Sequence, residues 1–226
     1  MKHLLLSMCV LGFSSSAADA DLRYKMRIEV RAAPAALHAA MPAGETVMLV
    51  RGDAVRIEQQ RGAVRSVLLL RPDGQFALDL GARTYWRIPQ ESVLTASPSA
   101  TPLAFRRTGE FTTMLGLRAE RVEVTMSLPL PITPAPGFPT ALSMTGELWI
   151  ADAYRAYANN IGRAIGSSSA APAKMDGIVL RQVVRNAQLG IEIEHLVTEL
   201  IETPIAAELF EVPEDFRIVT APGGRR

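Results

Sequence analysis

Polar and apolar positions alternate with a period of two along most of this chain. Tyr24, Met26, Ile28 and Val30 fall on one side and Lys25, Arg27 and Glu29 on the other, which predicts a half-buried strand with one wet face. An Ala/Pro/Gly-rich stretch over 32–44 breaks the pattern, a second strand is expected over 46–50, and Arg51-Gly52-Asp53 makes a turn. Val55 and Ile57 then alternate with Arg56 and Glu58, Gly62 interrupts, and an apolar run over 64–70 ends at the turn signal Pro72-Asp73-Gly74. Phe76, Leu78 and Leu80 alternate with Ala77 and Asp79, Gly81-Ala82 turns the chain, and 84–88 runs back. Short strands joined by tight polar turns predict an antiparallel meander with strong curvature.

Past Pro89 the composition shifts to Ser, Thr, Ala and Pro as far as Pro102, which predicts a surface loop. A strand pair is expected over 103–107 and 110–115, followed after Gly116 by a long strand in which Val122, Val124, Met126 and Leu128 alternate with Glu123, Thr125 and Ser127. Prolines 129, 131, 134, 136 and 139 rule out a central strand and predict an extended lid or crossover over 129–139. The strand over 146–150 ends at Asp152, the expected N-cap of the one convincing helix, with Tyr154, Tyr157, Ile161 and Ile165 on one face. A Ser/Ala linker over 167–173 leads to strands over 178–185 and 191–201, turned at 186–190, and then to a short segment over 206–212. The fold class expected is mainly β, with about ten strands and one principal helix: a curved antiparallel sheet or half-open β-barrel with a covering helix.

The N-terminus departs from this pattern. Lys2 and His3, the apolar run from Leu4 to Phe13, the small residues from Ser14 to Ala17 and Ala18-Asp19-Ala20 read as a cleavable secretory signal peptide cut before Asp21. The run is too short to serve as a transmembrane anchor. The expected organisation is therefore a signal peptide over 1–20, a single β domain over 21–220 and a flexible tail over 221–226, in a periplasmic protein. The only cysteine, Cys9, follows Met8 inside the apolar run, so it is neither a lipid-attachment site nor part of a disulfide framework. A formal net charge of +1 with no basic block gives no reason to expect a nucleic-acid or anionic-membrane partner.

Candidate chemistry is sparse. After the signal the histidines are His38 and His195, far apart and without cysteine, so no metal site is expected. There is no Gly-x-Ser-x-Gly, no glycine-rich phosphate loop and no dinucleotide fingerprint, and neither enzyme nor cofactor is expected. Glu192 and Glu194, two apart on a strand, point the same way as an acid/base pair would, but they alternate with isoleucines and read as a solvated face. Arg51-Gly52-Asp53 matches an adhesion tripeptide, at a position where a hairpin needs glycine. Tyr85, Trp86, Trp149, Tyr154 and Tyr157 form either the core between helix and sheet or the wall of an apolar cavity.

Several short segments together carry a resemblance. Arg51-Gly52-Asp53-Ala54-Val55-Arg56-Ile57, Leu78-Asp79-Leu80, Thr84-Tyr85-Trp86, the stretch Gly116 to Val124, Gly146-Glu147-Leu148-Trp149-Ile150-Ala151 and Leu209-Phe210-Glu211-Val212-Pro213 resemble an exported bacterial domain family. That family is similar to the periplasmic lipoprotein carriers and outer-membrane receptors of the Lol system. The resemblance implies a half-open antiparallel barrel wrapped on a helical plug, with an interior able to hold acyl chains. It implies no catalytic residue. The chain departs from the carriers in its proline-rich 129–139 and its linker at 167–173, and only 32–40, interrupted by Pro34, could supply their N-terminal helix.

Two functions follow. One is a non-enzymatic periplasmic protein that binds a lipid, an acyl chain or a lipoprotein on a lining of Met26, Ile28, Val55, Ile57, Phe76, Leu78, Trp86, Val122, Val124 and Trp149. The other is a structural or interaction module of the cell envelope, with a filled core and a protein partner contacted through 89–102 and 129–139.

Overall fold

The computed structural model describes residues 21–35, 38, 43–62, 64–89, 103–129, 141–164 and 177–220. The signal-peptide reading of 1–20, the tail, the linker at 167–173 and nearly all of the two loops at 89–102 and 129–139 lie outside the described residues. The strands are β1 (Leu22–Ala32), β2 (Gly44–Arg51), β3 (Ala54–Arg61), β4 (Val64–Arg71), β5 (Gly74–Asp79), β6 (Thr84–Ile88), β7 (Leu103–Met114), β8 (Leu117–Pro129) and β9 (Ala141–Ala151). Helix α1 (Arg155–Ala164) follows, then β10 (Ile178–Asn186), β11 (Ile191–Glu202), a 3-10 turn at Ala207–Phe210 and β12 (Arg217–Ile218).

All twelve strands form one open sheet in the order β12-β6-β5-β4-β3-β2-β1-β11-β10-β9-β8-β7. Every neighbour pair is antiparallel except β12 with β6. The predicted meander from β2 to β6 is present, with turns where Gly52, Gly62 and Pro72-Asp73 stand. Twelve strands occur among the described residues where about ten are expected, and β12 has no counterpart in the expected set. One expected strand pair is in fact a single strand, because β7 runs unbroken from Leu103 to Met114 along β8 with a bulge between Arg107 and Phe111. Gly109, at φ 72°, makes the bulge, and the Thr108 hydroxyl fastens it by donating to the Arg121 carbonyl at 3.0 Å.

The sheet must curl. Leu68 and Leu70 of β4 and Leu117 and Ala119 of β8 belong to one apolar cluster, although the two strands stand seven places apart in the sheet. Laid flat, seven spacings would separate them by roughly 34 Å. The same cluster takes in Leu22, Tyr24 and Met26 of β1, Met48 and Val50 of β2, Val55 and Ile57 of β3, Trp149 and Ala151 of β9, and Ile161 of α1.

The opposite face of β2 to β5 is also apolar and has its own cover. Val47 and Leu49 pack with Ile205 and Phe210, and Val67, Leu69, Phe76 and Leu78 pack with Val212 and Phe216. Residues 203–216 therefore cross this face as a strap before β12 pairs with β6. Arg51 donates to the Ile205 carbonyl at 2.7 Å and Arg56 to the Leu209 carbonyl at 2.9 Å, tying the strap down. At the strap's start, the buried Asp21 carboxylate accepts the Ile205 N–H at 2.8 Å.

Candidate functional site

The apolar face enclosed by the curl is the candidate site. Strand alternation puts Tyr24, Met26 and Ile28 on it from β1, and Val55 and Ile57 from β3; Trp149 joins them from β9. Helix α1 lies on this face through Ile161, which is buried, and Tyr157, which is half-buried. The helix begins at Arg155 rather than directly after Asp152, because Tyr154 takes φ 59° and breaks the helical path before it. Tyr154 still packs against the cluster, its ring centroid 6.3 Å from that of Tyr157. Ile165 lies outside the described residues. One further tether holds the helix: the Asn160 amide donates to the Gly52 carbonyl at 2.7 Å, in the turn that the Arg51-Gly52-Asp53 sequence makes.

The ten residues expected to line one cavity fall into separate places. Met26, Ile28, Val55, Ile57 and Trp149 come together under α1. Phe76 and Leu78 lie on the other side of the sheet beneath Val212 and Phe216, because β5 pairs Phe76 with Leu69 and Leu78 with Val67, the strap-facing residues of β4. Trp86 pairs with Ala77 and so faces away from Phe76 and Leu78. Val122 and Val124 pack with Leu148, Ile150, Phe105 and Val179 in a cluster of their own. Periodicity alone could not separate these groups, since it says which residues share a face of one strand and not how faces connect across twelve.

Besides the Arg121 Nε, two buried side-chain polar atoms of the described residues lack a hydrogen-bond partner, the Thr46 hydroxyl and the Trp149 indole N–H. Both residues have under a tenth of their surface exposed. Tyr24 is satisfied: its hydroxyl donates to the Val179 carbonyl at 2.9 Å, and burial pushes its phenol well above the ordinary value.

Glu192 and Glu194 are not a solvated face. They belong to a ladder of ion pairs that crosses the sheet from β7 to β1. Arg121 meets Glu110 at 2.9 Å and Glu147 at 3.4 Å, Arg185 meets Glu147 at 2.6 Å and Glu192 at 2.9 Å, and Glu194 sits between Arg31 and Arg181. Glu194 is only 2% exposed. Burial pushes its carboxyl up, but the hydrogen bond and charge of Arg181, with Arg31 beside it, outweigh that and hold it below the usual carboxylate range. The hydrogen bond from Arg185 holds Glu147 low as well. Carboxylates fixed as anions in this way cannot act as general acids near neutral pH. Alternation marked these positions as polar, but the arginines that bury them come from other strands.

Beside the far ends of β1 and β2 an open depression of about 440 Å³ is lined by Arg27, Glu29, Glu45 and Gln60 among others. It is polar, and its arginine is paired with Glu29 at 2.8 Å. Among the described residues no three His, Cys, Asp or Glu side chains group as metal ligands.

The fold recurs in an uncharacterized conserved protein from Thermus thermophilus, similar at a TM-score of 0.50 and 12% identity over 88% of this chain and 90% of that one. Weaker likenesses are to the Mycobacterium tuberculosis lipoprotein LppX (TM-score 0.40, 11% identity, 81% of this chain and 88% of that one) and to a putative outer-membrane lipoprotein-sorting protein domain from Vibrio parahaemolyticus (TM-score 0.31, 12% identity, 84% and 89%). No family model and no curated protein matches the chain. The open, curved, mostly antiparallel sheet with a helix on its apolar face is the architecture that the resemblance to the Lol carriers implies.

Proposed function

We propose that this is a non-enzymatic periplasmic protein that binds an acyl chain, as a lipid or as the anchor of a lipoprotein, on the apolar face beneath α1. The observation that carries the reading is how that face is covered. Side chains from β1, β2, β3, β8 and β9 converge on one apolar surface, and the described cover is a ten-residue helix that packs on it through Ile161 and Tyr157 and bonds the Gly52 turn through Asn160. Lifting α1 would uncover the part of this surface that β2, β3 and β10 contribute, Val55 and Ile57 of β3 among it. An acyl chain laid there would recover about 0.8 kcal/mol for each methylene it buries. A carbonyl at its head could also accept from the unpaired Trp149 indole, which costs free energy while it stays buried and unsatisfied.

Native mass spectrometry of protein purified from the periplasm, with organic extraction of what accompanies it, tests this. A stoichiometric acyl species supports the proposal. A ligand-free mass that stays unchanged when phospholipid or fatty acid is added would reject it in favour of an envelope module with a filled core.

A further inference from the structure

The β7–β8 hairpin ends in a two-residue turn that breaks a local rule. Met114 pairs with Leu117, and the residues between them, Leu115 and Gly116, take φ 51° and 75°. A turn with both central residues at positive φ is ordinarily built from Asn-Gly or Asp-Gly, because a side chain branched as leucine's is strained there. Two other non-glycine residues share this conformation among the described residues, and each has a structural return. Tyr154 packs on the core, and Arg83 bonds Asp215 while its carbonyl accepts the Arg217 N–H. Leu115 stands 47% exposed at the tip.

Four residues earlier on β7, Phe111 is 46% exposed and carries the Arg118 guanidinium 3.6 Å from its ring centroid. The other arginines of the hairpin are neutralised: Arg106 by Glu123, Arg107 by Glu120 and Arg121 by Glu110. Arg118 has no carboxylate partner among the described residues. The tip therefore presents two exposed apolar side chains and one uncompensated cation, and the chain's net charge of +1 averages this away.

We infer that the β7–β8 tip docks on an anionic lipid surface, Leu115 and Phe111 entering the headgroup and upper acyl region and Arg118 pairing with a lipid phosphate. A protein partner fits the tip less well, since a stable interface needs about 800 Å² from each side and a convex two-residue turn offers little flat area. A bilayer interface accepts a narrow convex tip, and strain tolerated at an exposed leucine has a reason if that leucine is buried when the protein docks. The inference stands on this hairpin alone and does not depend on what α1 covers.

The test is sedimentation with vesicles of phosphatidylglycerol and phosphatidylethanolamine, and with vesicles of phosphatidylcholine alone, using the protein in the form that cells accumulate. The wild type should bind the anionic vesicles, more weakly as salt rises. Leu115→Asn, which suits the turn and should not lower the melting temperature, should bind about fivefold less. Arg118→Glu should lose about fivefold or more, and Arg118→Lys should keep most of the binding. Equal binding by Leu115→Asn and wild type, equal binding to both vesicle types, or no binding to either would overturn the inference.

Discussion

Replacing Glu194 by glutamine should destabilise the protein by about 2–3 kcal/mol at neutral pH. The magnitude follows from the surroundings. The carboxylate is almost fully buried, Arg181 donates to it at 2.5 Å, and Arg31 donates from the other side. An amide keeps the shape and one acceptor oxygen but removes the charge that both guanidiniums face. Arg31 and Arg181 are 47% and 30% exposed, so water can reach them, which keeps the loss below that of stranding fully buried charges. For a domain of this size the melting temperature should fall by roughly 5–10 °C.

The pH dependence has a definite sign. The folded-state carboxyl is held below its ordinary value, so its contribution is complete above the unfolded-state value and is lost as pH falls through the folded one. Urea unfolding of both forms between pH 7 and pH 3 should show the gap narrowing towards acid. A gap below about 0.5 kcal/mol at pH 7, or one that does not narrow, would refute the account of Glu194 as a paired buried anion.

Other predictions rest on different parts of the fold. Phe210→Ala should cost about 3–4 kcal/mol in urea unfolding, since the ring is 4% exposed against Leu49 and Ile205 and holds the strap on the sheet. Tyr24→Phe should cost about 1–2 kcal/mol by stranding the Val179 carbonyl; because the phenol's value is raised on folding, the wild type loses stability above its ordinary range, and the variant should flatten that alkaline decline. Gly177→Ala should cost more than about 2 kcal/mol, because a Cβ there would lie 2.0 Å from the Ala151 carbonyl oxygen, and circular dichroism melting should show it. Leu115→Asn should raise stability by about 0.5–1 kcal/mol in the same assay.

The sequence made the strands legible because burial on one face leaves a period of two, and made the meander turns legible because Gly52, Gly62 and Pro72-Asp73 supply conformations a turn requires. Two continuous apolar runs, Val47 to Val50 and Val67 to Leu70, carried a further signal that was harder to use. Both are buried from both sides, by the cluster beneath α1 and by the strap. A run of that kind announces a second cover without naming it, and nothing local in 203–216 marks it as the segment that returns. The same limit split the expected lining: Phe76 and Met26 each lie on the apolar side of their own strand, and only the register through β2, β3 and β4 shows those sides to be opposite. Glu194 reads as solvated because alternation within β11 says nothing of its partners: Arg31 comes from β1, distant in the chain, and Arg181 from β10 across the turn, and only the pairing of the three strands brings both onto one carboxylate.

The site can be tested directly through its tryptophans. The chain has two, Trp86 and Trp149, and Trp149 is buried in the cluster beneath α1. A Trp86→Phe variant titrated with fatty acyl chains brominated along their length reads contact at Trp149 alone. Saturable quenching at a stoichiometry of about one, stronger for bromine placed near the carbonyl head than at the far end of the chain, is the result the account predicts. Quenching confined to the Trp149→Phe variant, or none in either variant, would contradict it.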